Sequence, residues 1–339
     1  MGFSWGLWDF CVFPNPRLIL ATRVLPNLER ENLMFVTRGN AVTGFLKNIS
    51  RESRTAYILI LPAFSIVFIL AVYSAFWLIR MSLNDWIFGK PAEEAVWVGL
   101  ENYRWLLFDK NTTLWASVRI TVIYVIICLG IELFLGFIIA LILNGKIFAR
   151  SIYTAILIIP IVVMPTMVGM VFRLYFSYDG LVNYFVDTLF GTKLNWYGPE
   201  LALLAVILVD IWQYTPFFVL ILLAGLQALP RDPYEAARVD GASVLQLFRF
   251  VTLPMMAPLI VTVTLLRLME LLRAFDVIFV MFAGGPGDAT TTLPLLVYKT
   301  TLVARNVGRG SAASVLLIIT ITALSFILIR LFERVRFEM

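Results

Sequence analysis

Histidine is absent from this chain of 339 residues, and its only two cysteines, Cys11 and Cys128, lie far apart. That removes the commonest metal ligand and general base together, and it leaves neither a thiolate metal cluster nor a disulfide framework. Charge is scarce as well: charged residues make up 14%, against about a quarter in an ordinary soluble domain. There is no Walker-type glycine loop and no nucleophile motif, so the chain reads as a non-enzyme. What is present is apolar, 60% of all residues, gathered in runs long enough to cross about 30 Å of hydrocarbon. The net charge of +5 is dispersed and collects near the ends of those runs, which points to membrane orientation and away from nucleic acid.

The apolar runs predict an all-α integral membrane protein with six spans, near 57–79, 118–143, 152–172, 201–223, 256–282 and 311–331. Residues 1–56 form a leader and 333–339 a short tail. Arginines of the leader and tail, Lys146 with Arg150, and Arg231, Arg238 and Arg249 all fall on one side, which the positive-inside rule makes cytoplasmic, with both termini there. The leader lacks the pattern of a signal peptide. Its aromatics suit a membrane interface, and an over-extended start upstream of Met34 is the alternative. Cys128, inside an apolar run, reads as packing.

One polar island interrupts the second half of the chain, residues 229–254. Asp232 is expected as an N-cap with Pro233 at the first helical position and Glu235 three residues on. Gly241 should end that helix, Ser243 and Gln246 should start another, and Pro254 should stop the segment. So structured a piece between two spans suggests a surface gripped by another protein. Glu235-Ala236-Ala237, Asp240, Gly241 and Val251-Thr252-Leu253-Pro254 resemble the EAA loop of permease subunits of binding-protein-dependent ABC importers, with valine where isoleucine is usual. The resemblance implies the type I ABC importer permease fold and assigns Glu235, Ala236, Ala237, Asp240, Gly241, Leu253 and Pro254 to contact with an ATPase.

Other segments carry the same likeness. Val98-Gly99-Leu100-Glu101-Asn102-Tyr103 resembles the stretch before the second span of carbohydrate permeases. Phe275-Asp276-Val277-Ile278-Phe279, Gly284-Gly285-Pro286-Gly287-Asp288-Ala289-Thr290, Tyr298 and Gly310-Ser311-Ala312-Ala313-Ser314 look like the end of the maltose and glycerol-3-phosphate permease group. That group implies import of a sugar or oligosaccharide by a complex of two related permeases, two ATPase subunits and an extracytoplasmic solute-binding protein in the inner membrane. It implies no cofactor on this chain, with ATP and Mg used by the partner ATPase. A permease for glycerol phosphate, a polyamine or another small solute is the alternative, and an ATPase-independent channel or enzyme is the reading from a different class.

Charges inside spans are costly, so each marks a candidate site. Arg267, Glu270, Arg273 and Asp276 alternate in sign every three residues and can pair along one side of the fifth span, either as a self-neutralising ladder or as the wall of a cavity. Arg119 and Glu132 in the second span read as less telling. On the fourth span Asp210, Gln213 and Phe217 share a face, with Tyr214 beside them. By resemblance, the substrate-facing positions are Asp210, Gln213, Tyr214 and Phe217 with Arg267, Leu271 and Ala274. The family's usual asparagines are partly replaced here by Arg267 and apolar residues, which leaves the solute open.

Overall fold

The computed structural model describes residues 51–109, 111–145 and 147–337. The leader up to residue 50 lies outside the described residues, as do Lys146 and the side chains of the tail arginines. The chain divides into two compact units between Leu70 and Ala71. Helix α1 (Arg51–Ser82) begins in the first unit, where its stretch from Ile58 to Leu70 is apolar and its side chains are exposed apart from the half-buried Ser65. A helix with so continuous an exposed apolar surface belongs in lipid.

The second unit, from Ala71, is built on two long helices, α3 (Leu114–Asn144) and α7 (Ala202–Ala228), packed side by side. Gly136 lets them approach, because a Cβ there would overlap Phe218. Before α3, a two-residue hairpin pairs β1 (Asn84–Asp85) with β2 (Val96–Trp97), and α2 (Glu101–Phe108) follows. Asn102, buried at the start of α2, donates to the carbonyls of Ser82 and Asn84, both at 2.9 Å, and so fixes the segment to the end of α1.

Among the described residues, five helices are long and apolar enough to span a membrane, and six when one bent pair counts as a single span. That pair corrects the expected straight third span. α4 (Arg150–Val162) and α5 (Pro165–Tyr175) meet at 93°. Pro165 pushes Met164 out of helical geometry, and Val163 and Met164 are both extended. A short helix, α6 (Leu181–Phe190), leads to an outer loop where the Lys193 ammonium lies 2.7 Å from Asp179, whose hydrogen bond raises the lysine pKa.

The polar island contains α8 (Asp232–Val239) and α9 (Val244–Leu247), then a π-turn at Phe248–Thr252 that runs directly into α10 (Leu253–Leu271). Pro254 therefore opens a span and does not stop the segment, since the first turn of α10 has no need of its N–H. The expected fifth span, 256–282, is also corrected. α10 ends at Leu271, and a separate helix, α11 (Asp276–Phe282), packs against α5. The close fit is again at a glycine: a Cβ on Gly169 would lie 3.1 Å from that of Val280. Arg173 also donates to the Val280 carbonyl at 3.2 Å. After α12 (Leu293–Tyr298) and a second π-turn at Lys299–Val303, the described chain ends with α13 (Val307–Phe337).

Candidate functional site

The breaks in the third and fifth spans open onto one cavity of about 330 Å³. Its lining includes Pro165 from the first break, Arg273, Ala274 and Phe275 from the second, and Asp210, Tyr214, Arg267, Glu270 and Asp276. Non-helical backbone at membrane depth is tolerated where it is buried in protein or lines a water-filled space, so both breaks fit a cavity. The volume lies in the range of small-molecule sites.

Beside the cavity sits a buried ion cluster. Arg267 is 2% exposed, yet it donates from Nε to Glu132 Oε2 at 2.8 Å and from Nη2 to Glu132 Oε1 at 2.9 Å and to Asp210 Oδ2 at 2.5 Å. Its Nη1 reaches Glu270, three residues along the helix, at 3.4 Å, and its guanidinium lies 3.7 Å from the centre of the Tyr214 ring. Glu132 is fully buried. The expected charge ladder is thus realised only between Arg267 and Glu270. Beyond them the helix has ended: Arg273 donates to the Met269 carbonyl at 3.1 Å, and Asp276 opens α11. The charges of Arg267 are met chiefly across helices, by α3 and α7.

Glu132, expected to be less telling than the charges of the fifth span, is central to the cluster. Its signal was there, a carboxylate with eleven or more uncharged neighbours on either side, which the cost of burying charge in a span makes a candidate by itself.

Of the positions expected along the substrate path, Asp210, Tyr214, Arg267, Glu270 and Ala274 line the cavity. Gln213, Phe217 and Leu271 do not. Phe217 packs against the core cluster around Phe218, and Leu271 is buried in the cluster that holds Tyr124 and Ile278. Gln213 is buried and donates to the Val163 carbonyl at 3.1 Å, capping the acceptor that the α4–α5 break leaves free. Gln213→Leu should therefore cost about 1 kcal/mol of stability, because a buried carbonyl loses its partner. The apparent KM for transport should stay unchanged. A variant that melts like the wild type but has a raised KM would return Gln213 to the substrate path.

The polar island is also a well-defined structure. Helix α8 begins at Asp232, one residue before the expected start, with Arg231 in the cap position and no side-chain cap bond. It ends in a Schellman motif, with Gly241 N–H donating to Arg238 at 3.1 Å, Ala242 N–H to Ala237 at 2.9 Å, and Gly241 at φ +81°. Ser243 and Gln246 form the expected capping box. Tyr234 Oη donates to Thr252 Oγ1 at 2.9 Å, tying α8 to the π-turn. Glu235, Ala236, Asp240 and Gly241 are exposed, and Ala237 is half-buried. Val239 and Val244 beside them are 88% and 84% exposed, an apolar surface flanking the joint where the end of α8 and the start of α9 are satisfied internally.

Residues 132–337 match the model of the binding-protein-dependent transport system inner membrane component family. The chain belongs to this family. The trehalose/maltose transport system permease of Thermococcus litoralis is 36% identical over 86% of this chain and 97% of its own length. The trehalose transport system permease of Mycobacterium tuberculosis is 30% identical over 88% of this chain and 95% of its own. A solved bacterial ABC transporter that imports the acidic polysaccharide alginate shares the fold, with a TM-score of 0.72 at 20% identity over 86% of this chain and 99% of that one. The protein is a multi-pass ABC importer permease, a transport subunit and not an enzyme.

Proposed function

We propose that this permease carries a sugar or oligosaccharide, handed over by an extracytoplasmic binding protein, through a path that includes the cavity beside Arg267. The observation that carries the reading is the convergence of two broken spans and a buried ion cluster on one cavity of small-molecule size. Its lining supplies hydrogen-bond partners in Asp210, Glu270 and Asp276 and ring faces in Tyr214 and Phe275, the combination that hydroxyls and a sugar's C–H surface need. The trehalose and maltose permeases among its relatives support the same solute class.

The complex, on this reading, contains a second related permease and two ATPase subunits that bind ATP and Mg, while this chain holds no cofactor. The ATPases grip the loop at Glu235, Ala236, Ala237, Asp240 and Gly241, with Leu253 and Pro254 at its exit, and drive the conformational change by binding one permease state better than the other. Copurification with the neighbouring subunits, followed by uptake of neutral saccharides in proteoliposomes, tests the assignment. An assembled complex that takes up none of them but moves a polyamine or glycerol phosphate would replace the solute class.

Gly241→Val places a β-branched residue at φ +81°, a conformation that costs L-residues about 1–2 kcal/mol. The Schellman turn should deform, and sugar-stimulated ATP hydrolysis should fall several-fold while the spans still insert. Full coupling in this variant would remove the docking role of the loop. The same reading puts the loop and both termini in the cytoplasm of an inner-membrane protein. Cysteines placed at Arg238 should then resist an impermeant external reagent that labels ones at Glu94, and the reverse pattern would invert the topology.

A further inference from the structure

We propose that Glu132 is a positioning residue which, with Asp210, occupies the hydrogen-bonding edge of Arg267 and so bars anionic solutes from the sugar path. The inference rests on the sugar reading above and names its solute class more narrowly: neutral saccharides. A guanidinium in a pocket is ordinarily the best available receptor for a carboxylate or phosphate, because its planar fork meets two oxygens at once. Here that fork is already filled. Both oxygens of Glu132 take Nε and Nη2, Asp210 takes Nη2 again, and Tyr214 lies against the flat face.

Only Nη1 is left, and it points to Glu270, whose side chain is about half exposed at the cavity. An anion entering there would have to displace Glu270 and would face Asp210 and Asp276 as well. The lining residues carry three carboxylates, Asp210, Glu270 and Asp276, against two guanidinium groups, Arg267 and Arg273, and the Arg273 Nε is engaged by the Met269 carbonyl. A neutral sugar has no charge to be repelled, and its hydroxyls can donate to the rim carboxylates. Glu132 does not line the cavity, so it acts on the solute only through Arg267.

The test uses the assembled complex in proteoliposomes, with maltose and trehalose as neutral probes, glucuronate as the anionic competitor and glucose as its uncharged counterpart of the same size. The wild type should be inhibited no more by glucuronate than by glucose. Glu132→Gln keeps the shape but removes a charge that balances Arg267, leaving the cavity wall one unit more positive, and glucuronate should then inhibit roughly tenfold more strongly than glucose. Glu132→Asp, which keeps the charge, should remain near the wild type. Equal inhibition by the two competitors in Glu132→Gln would overturn the proposal, and so would glucuronate inhibition in the wild type.

A second measurement does not depend on the variant folding. Phenylglyoxal should modify Arg273 in the wild-type complex much faster than Arg267, as read by peptide mass spectrometry. Comparable rates at the two arginines would also overturn the proposal. If the wild type takes up no neutral saccharide, the sugar reading fails on its own, while the arginine protection result still decides whether the fork is occupied.

Discussion

Arg267→Leu should destabilise the permease by about 3–5 kcal/mol, the range found when one partner of a buried ion pair is removed. The leucine itself would suit the membrane. The damage comes from what remains, because Glu132 and Asp210 are left facing each other with carboxylate oxygens within 4.8 Å and no cation between them. Glu132 is fully buried away from the cavity, so water there cannot take over the role of the guanidinium. Arg267→Lys should fall between, since an ammonium restores the charge but cannot fill both oxygens of Glu132 in the plane that also stacks on Tyr214. Thermal melting of the purified complex checks the order. If Arg267→Leu melts within a degree or two of the wild type, the cluster does not hold α3, α7 and α10 together.

The second large effect is expected at Gly136. Its missing side chain is the space through which α3 meets α7, and a Cβ there would overlap the Cβ of Phe218, an atom fixed to its own backbone and unable to swing aside. Gly136→Val should force the two helices apart and cost about 1–3 kcal/mol from overpacking, with Gly136→Ala milder. The separation would be felt at the ion cluster too, because Glu132 lies one turn up the same helix and Asp210 two turns up the partner. Uptake should therefore fall along with melting temperature. A Gly136→Val permease with normal uptake and stability would mean that the pair tolerates a wider spacing than this packing implies.

The polar island was legible because every signal in it is local. Gly241 takes a positive φ that glycine alone adopts freely, Ser243 and Gln246 cap each other across three residues, and neither feature needs a distant partner. Pro254 was the exception. Its position inside the first turn of α10 depends on the π-turn at Phe248–Thr252 carrying the helix through, and a proline by itself marks a stop as readily as a start.

Hydropathy by itself determined that the chain is a multi-span α-helical membrane protein, because only a continuous apolar run can satisfy a bilayer and the runs are long enough to count. It could also have shown the bend before Pro165, since the residue before a proline avoids helical geometry. The break between Leu271 and Asp276 has no such mark, for neither proline nor glycine occurs there. It arises where α11 turns away to lie on Gly169 of α5, a decision made by packing more than a hundred residues distant. The partner of Arg267 was hidden for the same reason. Charge spacing along one helix suggested Glu270 and a ladder continuing to Asp276, while the stronger interaction is with a carboxylate 135 residues earlier, because burial between α3 and α7 makes a bidentate, fully buried pair there outweigh a half-exposed one on the same helix.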